Sequence, residues 1–178
     1  MWLKLDLDQM IMEIQINGYR ATSREDWDSA WCRLDCSFRF DGYIDYSQRN
    51  AELIMCAEVD CLKKQLDEFV DGQMCADSSM GFIEPDFEVF FHPGNTESDT
   101  EQNVQFDRLG NDLSIPYMDW KVNLWNSLYP TNNCFSVRLH KDDVLVLRDY
   151  LRIVIGELNE NSDEVTKYYL NGNLYGQF

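Results

Sequence analysis

The chain has 178 residues, of which 32 are acidic and 15 basic, for a net charge of −17; 44% are hydrophobic and 13% aromatic. That length suits one ordinary domain, and the apolar content is far too high for a disordered acidic tail. The surplus of negative charge argues against nucleic acid and anionic membrane surfaces, which both need a basic footprint, and it fits either a soluble protein that repels its own copies or one that meets a cationic partner.

Leu3, Leu5 and Leu7 alternate with Lys4, Asp6 and Asp8, and Met10, Met12, Ile14 and Ile16 alternate with Glu13, Gln15 and Asn17. Period-two alternation marks half-buried strands, and the short gap between the runs predicts a hairpin. Asn17-Gly18 marks a turn, and a polar loop runs on through Ser29. Cys32, Leu34, Cys36, Phe38 and Phe40 then alternate with Arg33, Asp35, Ser37 and Arg39, the clearest strand in the chain. Asp41-Gly42 predicts a type I′ turn, with a returning strand from Tyr43. A further run puts Ala51, Leu53, Met55, Ala57 and Val59 on one face. Asp60 is the expected N-cap of a first helix. Leu62, Leu66, Phe69 and Val70 form its apolar stripe, and Gly72 can end it.

Strand signals return at Phe87, Val89 and Phe91, and His92-Pro93-Gly94 breaks them. Residues 94–118 read as a polar loop insertion, with a weak strand at Val104 and Phe106. Trp120, Val122 and Leu124 make another alternating run, and Phe135, Val137 and Leu139 the last. Asp142 or Asp143 opens the longest helix, striped by Val144, Leu147, Leu151, Val154 and Leu158. Residues 159–178 read as a polar C-terminal tail that frays, with Tyr168, Tyr169, Leu170 and Phe178 able to dock. The whole predicts a single α+β domain over residues 1–158: a mostly antiparallel sheet with two main helices packed on one face. A doubly wound α/β fold is excluded, because it needs a helix after nearly every strand.

The opening octapeptide has neither a basic region nor an unbroken apolar run, so no signal peptide is expected. No stretch approaches the ~18 apolar residues of a membrane span. The six cysteines (32, 36, 56, 61, 75 and 134) contain no CxxC pair. They are expected to be reduced, mostly buried and cytoplasmic.

Histidine occurs only at His92 and His140, each beside a predicted strand end. With nearby carboxylates they define the alternative reading, a metal-binding protein or hydrolase-type enzyme. No HxxxH or serine-elbow motif accompanies them, so no catalytic residue, metal or cofactor is expected. Glu84, Asp86 and Glu88 alternate along a predicted strand, which sets their carboxylates on one face about 6.5–7 Å apart at the backbone. That spacing suits an acid–base pair, a calcium site or a partner-binding patch; the plainer reading is a solvated face that resists self-association. Asp107, Asn111 and Asp112 do not match an EF-hand loop. Cys32 and Cys36 share a core-facing row, and Cys56 and Cys61 straddle the predicted strand-to-helix boundary.

The aromatics on polar faces are more informative. Trp31 follows Trp27 and the Asp26/Asp28 pair, and Trp125 ends another strand. Large aromatics ringed by carboxylates resemble an interface hot spot with an acidic rim, unless a loop or the tail covers them. Charge is densest over residues 49–93, where ten acids face three bases.

The order of these features carries a resemblance. An opening hairpin leads to Trp27-Asp28 and Trp31, then to Cys32–Phe40. Val59-Asp60-Cys61-Leu62 is followed by Leu66 and Phe69. Glu84 stands ahead of Phe87-Glu88-Val89. Phe135–Leu139 precedes an acidic helix start with Leu147, Tyr150 and Leu151. Over roughly residues 1–158, this resembles the small acidic immunity proteins of bacterial toxin systems, especially the WapI-type family. The resemblance implies a cytoplasmic protein that binds and blocks a toxin domain without catalysis. Such toxins are often cationic, which agrees with a basic protein partner here.

Overall fold

The structure, a computed structural model, describes residues 1–7, 9–23, 25–94, 115–126 and 129–176, with the backbone alone at 125–126 and 129–130. Asp8, the weak strand at Val104 and Phe106, most of the 94–118 insertion, Asp107, Asn111, Asp112 and Phe178 lie outside the described residues.

Two antiparallel hairpins begin the fold. Strand β1 (Leu3–Leu7) pairs with β2 (Met10–Asn17), with Leu3 opposite Ile14 and Leu5 opposite Met12. Strand β2 pairs with β3 (Arg33–Phe40), with Met12 opposite Phe38, and β3 pairs with β4 (Ile44–Ala51). The apolar members in the middle of each alternating run are buried, while Leu7, Met10, Ile16 and Phe40 near the strand ends are half-buried. Leu3, Met12, Cys36 and Phe38 are wholly inaccessible, and Lys4 and Glu13 form an ion pair at 2.9 Å on the other face.

Helix α1 (Cys56–Val70) begins before the predicted Asp60. Cys56 and Val59 are fully buried and extend the stripe of Leu62, Leu66 and Phe69 backwards at helical spacing. The predicted run from Ala51 to Val59 is not a strand: β4 ends at Ala51, and Met55 makes only an isolated antiparallel bridge to Trp31 before the helix starts. The start is capped by Glu58, which accepts the Met55 N–H at 2.8 Å. Asp60 lies within the helix and accepts the Tyr19 hydroxyl at 2.7 Å. The C-terminal end follows expectation. Gly72 has φ +70°, and Gln73 N–H reaches back to the Glu68 carbonyl at 2.8 Å.

Strands β5 (Ser78–Gly81), β6 (Phe87–His92), β7 (Tyr117–Asn126) and β8 (Tyr129–His140) form an antiparallel meander. Helix α2 (Lys141–Val154) follows, with Asp143 accepting the His140 N–H at 3.1 Å. Three short elements close the chain: α3 (Asp163–Thr166), β9 (Tyr169–Leu170) and β10 (Asn173–Gly176).

The fold is α+β and mostly antiparallel, but the expected one sheet is two among the described residues. One has the order β4-β3-β2-β1-β10-β9 and the other β5-β6-β7-β8. Their apolar faces share a core: Phe38 of the first lies 6.4 Å from Phe87 and 5.7 Å from Phe135 of the second, between ring centroids. Phe69 joins α1 to the second sheet through Phe91 at 5.7 Å, and the buried Tyr150 hydroxyl accepts the Ile16 N–H at 2.7 Å. Alternation reports which face of a strand is buried, not which strands pair, so it does not distinguish one sheet from two.

The tail is the larger correction. β10 inserts beside β1 in the one parallel pairing of the described residues, with Leu174 opposite Leu3. Leu174 and Val165 are fully buried. Asn171 and Gly172 both have positive φ, 51° and 78°, the type I′ signature of the β9–β10 hairpin. By contrast Asp41-Gly42 is not type I′. Only Gly42 has positive φ, at 76°, and Tyr43 N–H meets the Phe40 carbonyl at 2.9 Å, the type II pattern.

Candidate partner-binding surface

Loop 19–31 is held by its own polar side chains. Asp26 accepts the Ser23 N–H at 2.6 Å and its hydroxyl at 2.8 Å, and it pairs with Arg20. The Arg20 guanidinium, then the two Ser23 donors, hold its carboxyl down to about 2. Asp26 is therefore an organiser of the loop rather than a free charge for a partner. Trp27 next to it is 48% exposed, and Asp28 is exposed. Trp31 is half-buried, fixed by its bridge to Met55.

Glu84, Asp86 and Glu88 do not form a ladder. Pro85 has no N–H to donate, and strand β6 starts only at Phe87, so Glu84 and Asp86 sit in a turn. Glu88 is on the strand and pairs with Lys121 at 3.0 Å. Asp86 is buried, with 7% exposure, and its backbone carbonyl accepts the Asn123 N–H at 2.8 Å. Burial, then the neighbouring Glu84 carboxylate, pushes its carboxyl above the usual range. Asp86 is thus withdrawn from any partner, while Glu84 remains half-buried at the rim.

The tertiary structure nevertheless links one member of each predicted patch, Trp31 and Glu84, through the start of α1. Glu58, itself buried, accepts the Met55 N–H with one oxygen and the Ile83 N–H at 2.6 Å with the other. One carboxylate thus caps α1 and pins the turn that carries Glu84 against the residue bridged to Trp31. Ile83 is 55% exposed beside Glu84. The resulting surface, around the first turn of α1, presents Ile83 and part of Glu84, and Trp27 and Asp28 are exposed in the loop that leads into Trp31. Sequence reasoning missed Ile83 and Glu58. The signal for Ile83 was an apolar residue that Glu84-Pro85 cuts off from the following alternation.

Against known families, the immunity protein WapI-like family model matches residues 4–165. The chain belongs to the WapI-like immunity protein family. The family match runs from β1 into α3, so it takes in both sheets and both long helices and stops before β9 and β10. All the residues of the α1 surface lie within the span shared with WapI-like proteins. No curated protein matches the chain.

The remaining candidates of this WapI-like chain are scattered. His92 bonds Asp77 at 3.0 Å and stacks on Tyr117 at 4.5 Å. His140 is exposed at the start of α2, on the far side of β7 from His92. Among the described residues, no three His, Cys, Asp or Glu side chains gather where they could hold a metal. Cys32 and Cys56 sit with their sulfurs 3.5 Å apart in the core, and Cys36 is also buried. Cys61, Cys75 and Cys134 are exposed, so burial of the thiols is less complete than expected. The side chain of Trp125 lies outside the described residues. No described helix is long and apolar enough to cross a membrane.

Proposed function

We propose that this chain is a cytoplasmic immunity protein that neutralises a toxin domain by direct binding, without catalysis, and that the toxin's contacting face is basic. Membership of the WapI-like family carries the reading. The net charge of −17 supports the sign of the partner. Surface carboxylates such as Asp28 and Glu84 steer a cationic body and raise the encounter rate, an effect that salt screens. The exposed Trp27 and Ile83 then bury apolar area on contact and slow dissociation. Blocking follows from occupancy: a bound immunity protein covers toxin surface that its substrate needs.

The test is co-expression and pull-down with the toxin-like product of the adjacent gene, at low salt and again at high salt. A complex that weakens as salt rises is the expected result. Absence of a complex at low salt overturns the proposal.

A further inference from the structure

The opposite end of the first sheet carries a second feature. Met10 pairs with Phe40 there, whereas Asn17 pairs with Arg33 at the end next to loop 19–31. The β1–β2 and β3–β4 turns therefore lie side by side, at the end of β2 and β3 opposite loop 19–31. Between them is a cleft of about 440 Å³ lined by Asp6, Gln9, Ile11, Arg39, Phe40, Asp41 and Tyr43. Its volume is at the small end of ligand-pocket sizes, roughly 300–1,000 Å³.

The lining has three properties that bear on its occupant. Tyr43 is 82% exposed and Ile11 41%, an unusual outlay of large apolar groups on hairpin tips. Tyr43 is not loose: its ring stacks on Phe40 at 5.0 Å with the planes 23° apart, which fixes a flat aromatic face. The charges are unevenly matched. Arg39 is turned to Glu13 at 2.9 Å, and Lys4 meets the same carboxylate at 2.9 Å. Asp6 and Asp41 have no ion-pair partner among the described residues.

We propose that this cleft is a socket for an arginine side chain of the protein partner. The guanidinium stacks on the Tyr43 ring and forks towards the Asp6 and Asp41 carboxylates. A planar cation with several in-plane donors satisfies both demands at once; a lysine ammonium meets the carboxylates but has no flat face to stack. The inference rests on the toxin-binding reading and adds to it a determinant of partner choice, away from the α1 surface.

The experiment is calorimetric titration of the full chain with the neighbouring toxin-like domain, using wild type, Tyr43→Ala, and Asp6→Asn combined with Asp41→Asn. Circular dichroism melting checks that each variant is folded. Tyr43→Ala is expected to weaken binding by at least about 30-fold, as a hot-spot aromatic does, and the double asparagine variant by about 10-fold. A single Arg→Ala change in the partner should produce a loss that is not additive with Tyr43→Ala. If both variants bind within threefold of a wild type that does bind, the socket is overturned and the parent reading stands. If only the asparagine variant is weakened, the cleft is a general acidic patch and the arginine socket is likewise overturned. If wild type itself does not bind, both readings fall.

Discussion

Replacing Leu174 with alanine tests whether residues beyond 158 belong to the cooperative fold. Leu174 is wholly inaccessible, sits opposite Leu3 across the parallel β1–β10 pair, and donates its N–H to the Trp2 carbonyl at 2.9 Å. Alanine keeps that hydrogen bond and removes the apolar side chain from a site where both flanking strands fix the backbone. Such a site cannot collapse freely, so the cost is expected within the range for buried leucines, about 2.7–5 kcal/mol. For a domain of this size each kcal/mol lowers Tm by roughly 2–4 °C, which predicts a fall of about 5–20 °C. Leu170→Ala is the internal control. It lies in β9 of the same segment but is 52% exposed, and a surface change of that kind stays within about 0.5 kcal/mol. Thermal melting by circular dichroism, backed by urea titration, reads both. The expected pattern is a lowered urea midpoint for Leu174→Ala with an unchanged slope. Equal, small shifts for the two variants would refute the reasoning, because they would mean that β9 and β10 open independently of the body.

Two carboxylates should respond to pH with opposite signs. Burial raises the Glu13 carboxyl, but hydrogen bonds from Lys4 and Ser37 and the charges of Lys4 and Arg39 outweigh it and hold it below the usual range. Glu13→Gln should therefore destabilise the fold at pH 7, and its deficit should close as pH falls below about 4, where wild type loses the same contribution. Asp86 is raised by burial and by Glu84, so its charge opposes folding at neutral pH. Asp86→Asn should raise Tm at pH 7, with the gain vanishing as acid protonates the wild-type residue; melting curves across pH 3–8 separate the two signs. Tyr168 donates its hydroxyl to Asp149, a 5%-exposed carboxylate that also receives Arg148 at 2.9 Å and Arg152 at 3.2 Å. Tyr168→Phe leaves a buried carboxylate oxygen without that donor, so calorimetry should show a loss of about 1–3 kcal/mol.

Much of the fold was legible because burial imposes periodicity. Leu3–Leu7, Met10–Ile16, Cys32–Phe40, Phe87–Phe91 and Phe135–Leu139 each alternate because one face of each strand meets the core. The Leu62–Phe69 and Val144–Leu151 stripes are legible for the same reason at helical spacing. Errors arose where two signals overlapped. Val59 fits both the alternating run and the helical stripe, and only the Glu58 cap on Met55 decides that the helix starts at Cys56. The Asn171-Gly172 hairpin was readable in principle, flanked as it is by Tyr169 and Leu174. Its setting in a polar tail hid the signal, because the apolar partner that holds it is Leu3, some 170 residues away in the chain.

The candidate site divides in the same way. The sequence alone determined the charge of −17, its concentration over residues 49–93, and the placing of Trp27 among carboxylates. These are sums and near neighbours, which no folding can alter. Tertiary structure decided which charges are available. It tied Asp26 to Arg20, buried Asp86, and paired Glu88 with Lys121. It also assembled surfaces from distant segments, joining Trp31 to Ile83 through the two oxygens of Glu58 and placing Asp6 and Tyr43 in the lining of one cleft between two hairpin tips. Such meetings depend on strand register and sheet order, which are set by contacts between residues far apart in the chain and leave no local trace.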